Sequence, residues 1–377
     1  KKALTAMMPY LSGQFGNPSA IHVEGQMTRN AVEEARQTIA TALQVRPEFV
    51  TFTSGGTEGN NLAIFGVVES LAQAGRAYES MSVITTKIEH PSVGEACVAL
   101  KRRGVEVRYV QVTETGKVDL EHLRTLLDES VVLFSTALIN SEIGTVQPAH
   151  AIRKVLKSAE EQFGTEVFFH LDAAQAPLWV NCQFNSLSAD FVTLDAAKCC
   201  GPKGVGVLVR DRRTYIVPVV HGGGQESGLR PGTENVAGIV GAAVAVKEAM
   251  DGYQARVESV SAIRDQAIKH MQAELPQAVI NGAAGNERVA NNINLSISGL
   301  DTEFAAVVLD KHGFAVSTKS ACSGAGGGAS TVVLETTQDP ARASSTLRIT
   351  LGPDSTLGQI RSLTTVLKQH VEQMSQY

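Results

Sequence analysis

The sequence predicts an α/β chain of two domains. Residues 1–250 form a large domain on a mainly parallel seven-stranded sheet, and residues 251–377 form a smaller α+β domain. Three observations carry this. The 377 residues suffice for two domains, on a prior of roughly 100–200 residues each. Short β-branched runs alternate with helical patterns through the first two-thirds, as in a parallel sheet covered on both faces. Glycines at Gly222-Gly223-Gly224 and Gly232 then punctuate the chain before an alanine- and valine-rich helix that leads to the second domain.

Taken in order, the β-branched runs place strands at 49–53, 82–86, 105–110, 131–137, 167–171, 191–194 and 205–209. Helices fall between them at 58–74, 91–101, 120–127 and 149–163, and the connecting helix at 236–250. The second domain reads as a long helix at 254–274, strands near 293–297, 314–318 and 347–351, and a closing helix at 357–373. Ligand sites in such sheets lie beyond the carboxyl ends of the strands. Thr57, His90, Asn140, Asp172 and Lys198 all follow predicted strands.

Composition removes several classes of function. A net charge of −5 offers no electrostatic case for nucleic acid or an anionic membrane. No apolar run approaches the roughly 20 residues of a membrane span. Five cysteines are too few and too irregular for a disulfide framework, and an odd number leaves at least one thiol free. A reducing cytoplasm is the expected compartment. Cys199-Cys200 lacks the spacing of a zinc or redox pair and reads as two small buried hydrophobes, so no metal is expected. Lys1 is not a methionine, so the natural N-terminus is expected to be missing and targeting stays open.

Lys198 carries the chemistry. It follows the apolar run Phe191-Val192-Thr193-Leu194 and precedes Gly201-Pro202, where an amine could form a Schiff base with a carbonyl cofactor. Ser54-Gly55-Gly56-Thr57-Glu58 joins a strand to a helix start, whose free N–H groups favour a phosphate; a helix cap by Thr57 is the plainer alternative. Asp172, at the end of a strand, needs a cationic partner if buried, which a protonated pyridine nitrogen would supply; capping is again the alternative. His90 could stack on a ring and shuttle protons. Cys322 sits between a strand and the glycine-rich loop Ser323-Gly324-Ala325-Gly326-Gly327-Gly328, where exposure and motion suit a nucleophile. Arg348 interrupts an apolar strand pattern, as a clamp on a substrate carboxylate or a structural ion pair would.

These pieces, in this order, resemble the cysteine desulfurases of the NifS/IscS type. They are class V aminotransferases of pyridoxal phosphate (PLP) fold type I, a group that also contains selenocysteine lyase. The resemblance runs from Phe15-Gly16-Asn17-Pro18-Ser19 to Arg348. It rests on Thr53-Ser54-Gly55-Gly56-Thr57-Glu58-Gly59-Asn60-Asn61, Glu142-Ile143-Gly144, Gly201-Pro202-Lys203-Gly204, Gly222-Gly223-Gly224-Gln225-Glu226, Arg230-Pro231-Gly232-Thr233-Glu234-Asn235 and Ser320-Ala321-Cys322. It implies conversion of L-cysteine to L-alanine, with sulfur left as a persulfide on Cys322 for an acceptor such as an iron–sulfur scaffold.

By the same resemblance Lys198 is the Schiff-base lysine and Asp172 the partner of the pyridine nitrogen. Gln175 donates to the ring phenolate, His90 is the stacking acid–base group, and Gly56 and Thr57 hold the phosphate. Asn140 and Arg348 meet the substrate. Thr233 reaches the phosphate of a neighbouring subunit, which implies a homodimer. The family's opening strand does not appear in the sequence. Three departures stand out: Ser141 replaces the second residue of Asn-Asn-Glu-Ile-Gly, and in Asp195-Ala196-Ala197-Lys198 the serine and histidine of Ser-x-His-Lys are replaced by Asp195 and Ala197. Asp195 would repel a phosphate at close range. The alternatives are a selenocysteine lyase, or a non-catalytic scaffold relative with impaired PLP binding.

Overall fold

The computed structural model describes residues 1–318 and 328–374. Two helices, α1 (Lys2–Ser12) and α2 (Val23–Leu43), precede the first strand, β1 (Val50–Thr53). Then come α3 (Gly56–Gln73), β2 (Ser82–Thr86), α4 (Pro91–Lys101), β3 (Glu106–Val110), α5 (Leu120–Leu126), β4 (Val131–Ala137), α6 (Ala149–Phe163) and β5 (Phe168–Asp172). The short α7 (Phe184–Leu187) leads to β6 (Phe191–Asp195), β7 (Gly206–Arg210) and α8 (Val236–Asp251). The C-terminal part contains α9 (Tyr253–Glu274), β8 (Ala278–Ile280), β9 (Asn292–Ile297), α10 (Thr302–Lys311), α11 (Thr331–Thr337), α12 (Pro340–Ser344), β10 (Thr346–Thr350) and α13 (Leu357–Met374).

The chain divides into two compact units. The first comprises Lys1–Val110, Leu120–Leu138 and Pro148–Tyr253; the second takes Gln111–Asp119, Ile139–Gln147 and the chain from Gln254 onward. Two excursions from the N-terminal part therefore belong to the second unit, and one of them carries Asn140.

The first unit contains a seven-stranded sheet in the order β1-β7-β6-β5-β4-β2-β3. Pairings are parallel from β3 through β6, and β7 is antiparallel to both of its neighbours. The reason lies in the connections. Parallel neighbours need a crossover of about a dozen residues or more, usually helical, whereas the link from β6 to β7 holds only a short turn. Six strands therefore run one way, and the carboxyl ends of β1, β2, β4, β5 and β6 share one edge of the sheet. The interior is apolar: Leu62, Ile64 and Val67 of α3 and Val93, Cys97 and Leu100 of α4 pack with Val83, Leu133, Phe168 and Phe191 of the strands.

Helix α2 escapes a simple apolar pattern because much of its buried face is small or polar: Gly25, Thr28, Ala31, Ala35, Arg36 and Ala40 among larger Val32, Ile39 and Leu43. The second unit holds an antiparallel sheet in the order β10-β9-β8. The strand expected at 314–318 is not formed there; the segment makes a single bridge, Ser317 to Arg348. Among the described residues no helix is long and apolar enough to cross a membrane.

Candidate active site

The shared carboxyl edge of the first unit gathers polar groups from five strands. At β1 the chain turns through Gly55 into α3, and the amide of Gly56 opens that helix. Strand β7 presses on this turn: a Cβ at Gly206 would lie 2.4 Å from the carbonyl carbon of Gly55, so only glycine fits. The Gly56 N–H donates to Asp195 Oδ2 at 3.4 Å, while Asp195 Oδ1 accepts from the Ala197 N–H at 2.9 Å. Asp195 thus caps the short 3-10 turn Ala196–Cys199 that carries Lys198, and ties it to the start of α3. Glu58 reaches back to the Ser54 N–H at 2.6 Å and accepts from Arg230 Nε at 2.9 Å. Burial pushes the Glu58 carboxyl up, but Ser54 and Arg230 pull harder and leave it below the usual range. Thr57 is exposed in the first turn of α3 and caps nothing.

Strand β5 ends on Asp172, which is buried. Its Oδ1 accepts from the Ala174 N–H at 3.0 Å and its Oδ2 from Asn60 Nδ2 at 2.8 Å. Neither donor is a cation, and burial raises the carboxyl above its ordinary range. Asn60 Nδ2 also donates to Ser92 Oγ at 2.8 Å, and Ser92 Oγ lies 2.8 Å from His90 Nδ1. The Ser92 N–H donates to the same ring nitrogen at 3.1 Å, so His90 is the side-chain cap of α4.

Beside them the Glu89 carboxylate accepts from Thr86 Oγ1 (2.6 Å), Thr136 Oγ1 (2.9 Å) and the Ala137 N–H (2.7 Å), joining the ends of β2 and β4. Burial lifts Glu89 to about 7 despite these donors, and the charge of Asp172 adds to the shift. Asn60, Ser92 and Glu89 have no individual sequence signal. Only the adjacency of β2, β4 and β5 gives them their partners.

Lys198 is exposed, beyond the end of β6; Asp172 pairs with Thr193 of that strand. Gln175 lies half-buried in the turn after β5, and Thr233 is exposed ahead of α8. The two adjacent cysteines differ, contrary to the expectation that both are buried. Cys199 is buried, with a thiol pushed up to about 12 by desolvation, whereas Cys200 turns outward at φ 64° and is exposed.

The second unit holds the other expected groups. Asn140 is buried and spends its side-chain oxygen on its own loop, accepting from the N–H groups of Glu142 (3.0 Å) and Ile143 (3.1 Å). Arg348, on β10, donates to the Ser141 carbonyl at 3.0 Å and to Ser317 Oγ at 3.1 Å. The contact through Ser141 uses only its backbone, so the departure there costs this bond nothing. Cys322 and most of its glycine loop lie outside the described residues.

The first unit suits PLP at one end better than at the other. A buried carboxylate whose hydrogen-bond donors among the described residues are both neutral is what a protonated ring nitrogen satisfies. A lysine amine stands at the end of the neighbouring strand. At the start of α3, where the phosphate would be held, Asp195 already accepts from the Gly56 N–H, so the residues would fit the group with one charge opposed.

Comparison with known proteins agrees. The family model described as aminotransferase class-V matches residues 1–363. The chain is 37% identical over 374 residues to a protein of Dictyoglomus turgidum named cysteine desulfurase IscS, covering 99% of this chain and 92% of that one. A solved NifS-like protein superposes with a TM-score of 0.89 at 29% identity, covering 99% of this chain and 96% of that one. A second, described as SspA in complex with cysteine, gives 0.79 at 29% identity and covers 94% and 96%. The ordered motifs, the sheet with its one reversed strand, and these matches place the chain in the class-V aminotransferase family, among its cysteine desulfurases.

Proposed function

We propose that this protein is a PLP-dependent cysteine desulfurase that converts L-cysteine to L-alanine and leaves the sulfur as a persulfide on Cys322. The observation that carries the reading is Asp172: a buried carboxylate whose two hydrogen-bond donors among the described residues are neutral, one strand away from the strand that leads to Lys198. Asp172 would hold the ring nitrogen, Gln175 the ring oxygen and Lys198 the carbonyl carbon. Gly56, Thr57 and a Thr233 supplied across a homodimer would hold the phosphate.

When bound, PLP supplies an electron-withdrawing ring that accepts the charge developing at the substrate Cα. The protein does the rest. Arg348 is suited to bind the substrate carboxylate, and Asn140 to orient it. Lys198 and His90 move protons at Cα and at the departing carbon. The Cys322 thiolate attacks the substrate sulfur, so an S–S bond forms as the C–S bond breaks, and a proton on the released carbon gives alanine. Atoms and electrons balance with one thiol and one L-cysteine consumed, and one persulfide and one L-alanine formed. We further infer a cytoplasmic homodimer that passes sulfur to an acceptor such as an iron–sulfur scaffold. The four described cysteines are free thiols, as a reducing compartment would keep them.

Mass spectrometry after incubation with L-cysteine tests the assignment. The protein should release alanine and carry one extra sulfur on Cys322; Cys322→Ala should bind PLP and carry none. A persulfide on exposed Cys200, with Cys322 unmodified, would overturn it.

A further inference from the structure

Asp172, Asn60, Ser92 and His90 form an unbroken hydrogen-bonded series whose direction is set by chemistry. A carboxylate only accepts, so the Asn60 amide must turn Nδ2 toward Asp172 Oδ2. The same Nδ2 gives its other proton to Ser92 Oγ. That hydroxyl is already accepting there, which leaves its own proton for His90 Nδ1, 2.8 Å away. The Ser92 N–H points at Nδ1 as well. Two donors on one ring nitrogen require it to be an acceptor, and the neutral imidazole then carries its proton on Nε2.

One further atom supports this orientation. Asn60 Oδ1 is buried and has no hydrogen-bond partner among the described residues. A flipped amide would aim that oxygen at the Asp172 carboxylate and forfeit both donations. An orphaned acceptor is tolerated because the alternative sets a carbonyl against a buried charge. Asn60, just past the first turn of α3, and Ser92, in the first turn of α4, are both buried, so neither needs to touch a substrate.

We propose that Asn60 and Ser92 are positioning residues that orient His90 and hold it as the tautomer protonated on Nε2, with Asp172 setting the direction of the series. Its catalytic consequence rests on the reading of His90 as the acid–base group. It makes the Nε2–H the end of the ring that faces chemistry, and makes a donor the form in which His90 starts.

Nitrogen-15 NMR of histidine-labelled holoenzyme reads the tautomer without turnover, with His90→Asn identifying the resonances. The expected result is an unprotonated Nδ1 and a protonated Nε2 at neutral pH; a protonated Nδ1 overturns the proposal, and this measurement needs no variant of the series. Ser92→Ala should move the His90 Nδ1 resonance toward a weaker hydrogen bond and lower kcat roughly tenfold with KM little changed. Ser92→Thr, which keeps the hydroxyl, should restore both. An unmoved resonance in Ser92→Ala also overturns the proposal. If the nitrogen result holds while no alanine is released, the desulfurase reading fails and the tautomer stands. If alanine is released with Nδ1 protonated, only the positioning series falls.

Discussion

At the scale of single residues, Asp195 stands where the resemblance to the desulfurases leads one to expect a serine. Its carboxylate does two things: one oxygen caps the turn bearing Lys198, and the other takes the opening N–H of α3. The first role is useful to any occupant of the site, and the second sets a negative charge where a phosphate would lie. The two are separable by substitution. Asp195→Ser keeps an oxygen for the Ala197 N–H and removes the charge, so PLP should bind about tenfold more tightly, the equivalent of roughly 1.4 kcal/mol. Asp195→Ala also removes the charge but loses the cap, at a cost of about 1 kcal/mol in stability. Fluorescence titration with PLP and chemical denaturation would measure the two effects; unchanged PLP affinity in Asp195→Ser would show that the charge is accommodated.

At the scale of elements, α2, β1 and the glycine-rich stretch before α8 are joined by one buried ion pair. Arg36 of α2 donates through both terminal nitrogens to Glu226, at 2.8 and 2.7 Å, and also to the Val50 carbonyl. Glu226 accepts in addition from the Phe52 N–H. Glu226 and the following Ser227 sit at φ 49° and 56°, a left-handed conformation that side chains adopt at a cost, so the pair anchors a strained turn. Removing one partner of a buried pair leaves the other charge uncompensated. Arg36→Met should therefore cost about 3–5 kcal/mol by chemical denaturation, and the double variant Arg36→Met, Glu226→Gln should recover part of it. The sequence marks neither α2 nor this pair. A helix whose buried face is built largely on alanine, glycine and threonine shows little apolar contrast, and the two charges lie 190 positions apart.

At the scale of the whole molecule, two buried groups give stability opposed dependences on pH. His170 lies between Ser135 Oγ (2.8 Å) and Thr193 Oγ1 (3.0 Å), and desolvation depresses it to about 3. Below about pH 6.5 the unfolded chain binds a proton there that the folded chain refuses, so stability falls on acidification toward pH 3. Glu89, raised to about 7, acts with the other sign: between pH 7 and about 4.5 the folded chain keeps a proton that the unfolded chain releases, so stability rises on acidification. Each contributes up to about 1.4 kcal/mol per pH unit, and they oppose one another between about pH 6.5 and 4.5. Over that window His170→Gln should gain stability relative to the parent on acidification, and Glu89→Gln should lose it. Urea unfolding at pH 6.5 and 5.0 measures both differences; His170→Gln tracking the parent would remove the histidine's part.

What the sequence determined by itself is local. The β-branched runs placed all seven strands of the large sheet to within a residue or two, because apolar periodicity and turn residues act over a few positions. The same locality put Asp172 and Lys198 at strand ends, where ligand chemistry belongs. What only the tertiary structure decided is who partners whom. Asn60 meets Asp172 across 112 positions, Gly56 meets Asp195 across 139, and Thr136 meets Glu89 across 47. Those meetings follow from the order of strands in the sheet, which the connections and the packing of helices settle together. The expected strand at 314–318 fails for the same reason: a β-rich run becomes a strand only where a neighbour offers a ladder, and Arg348 offers that segment a single bridge.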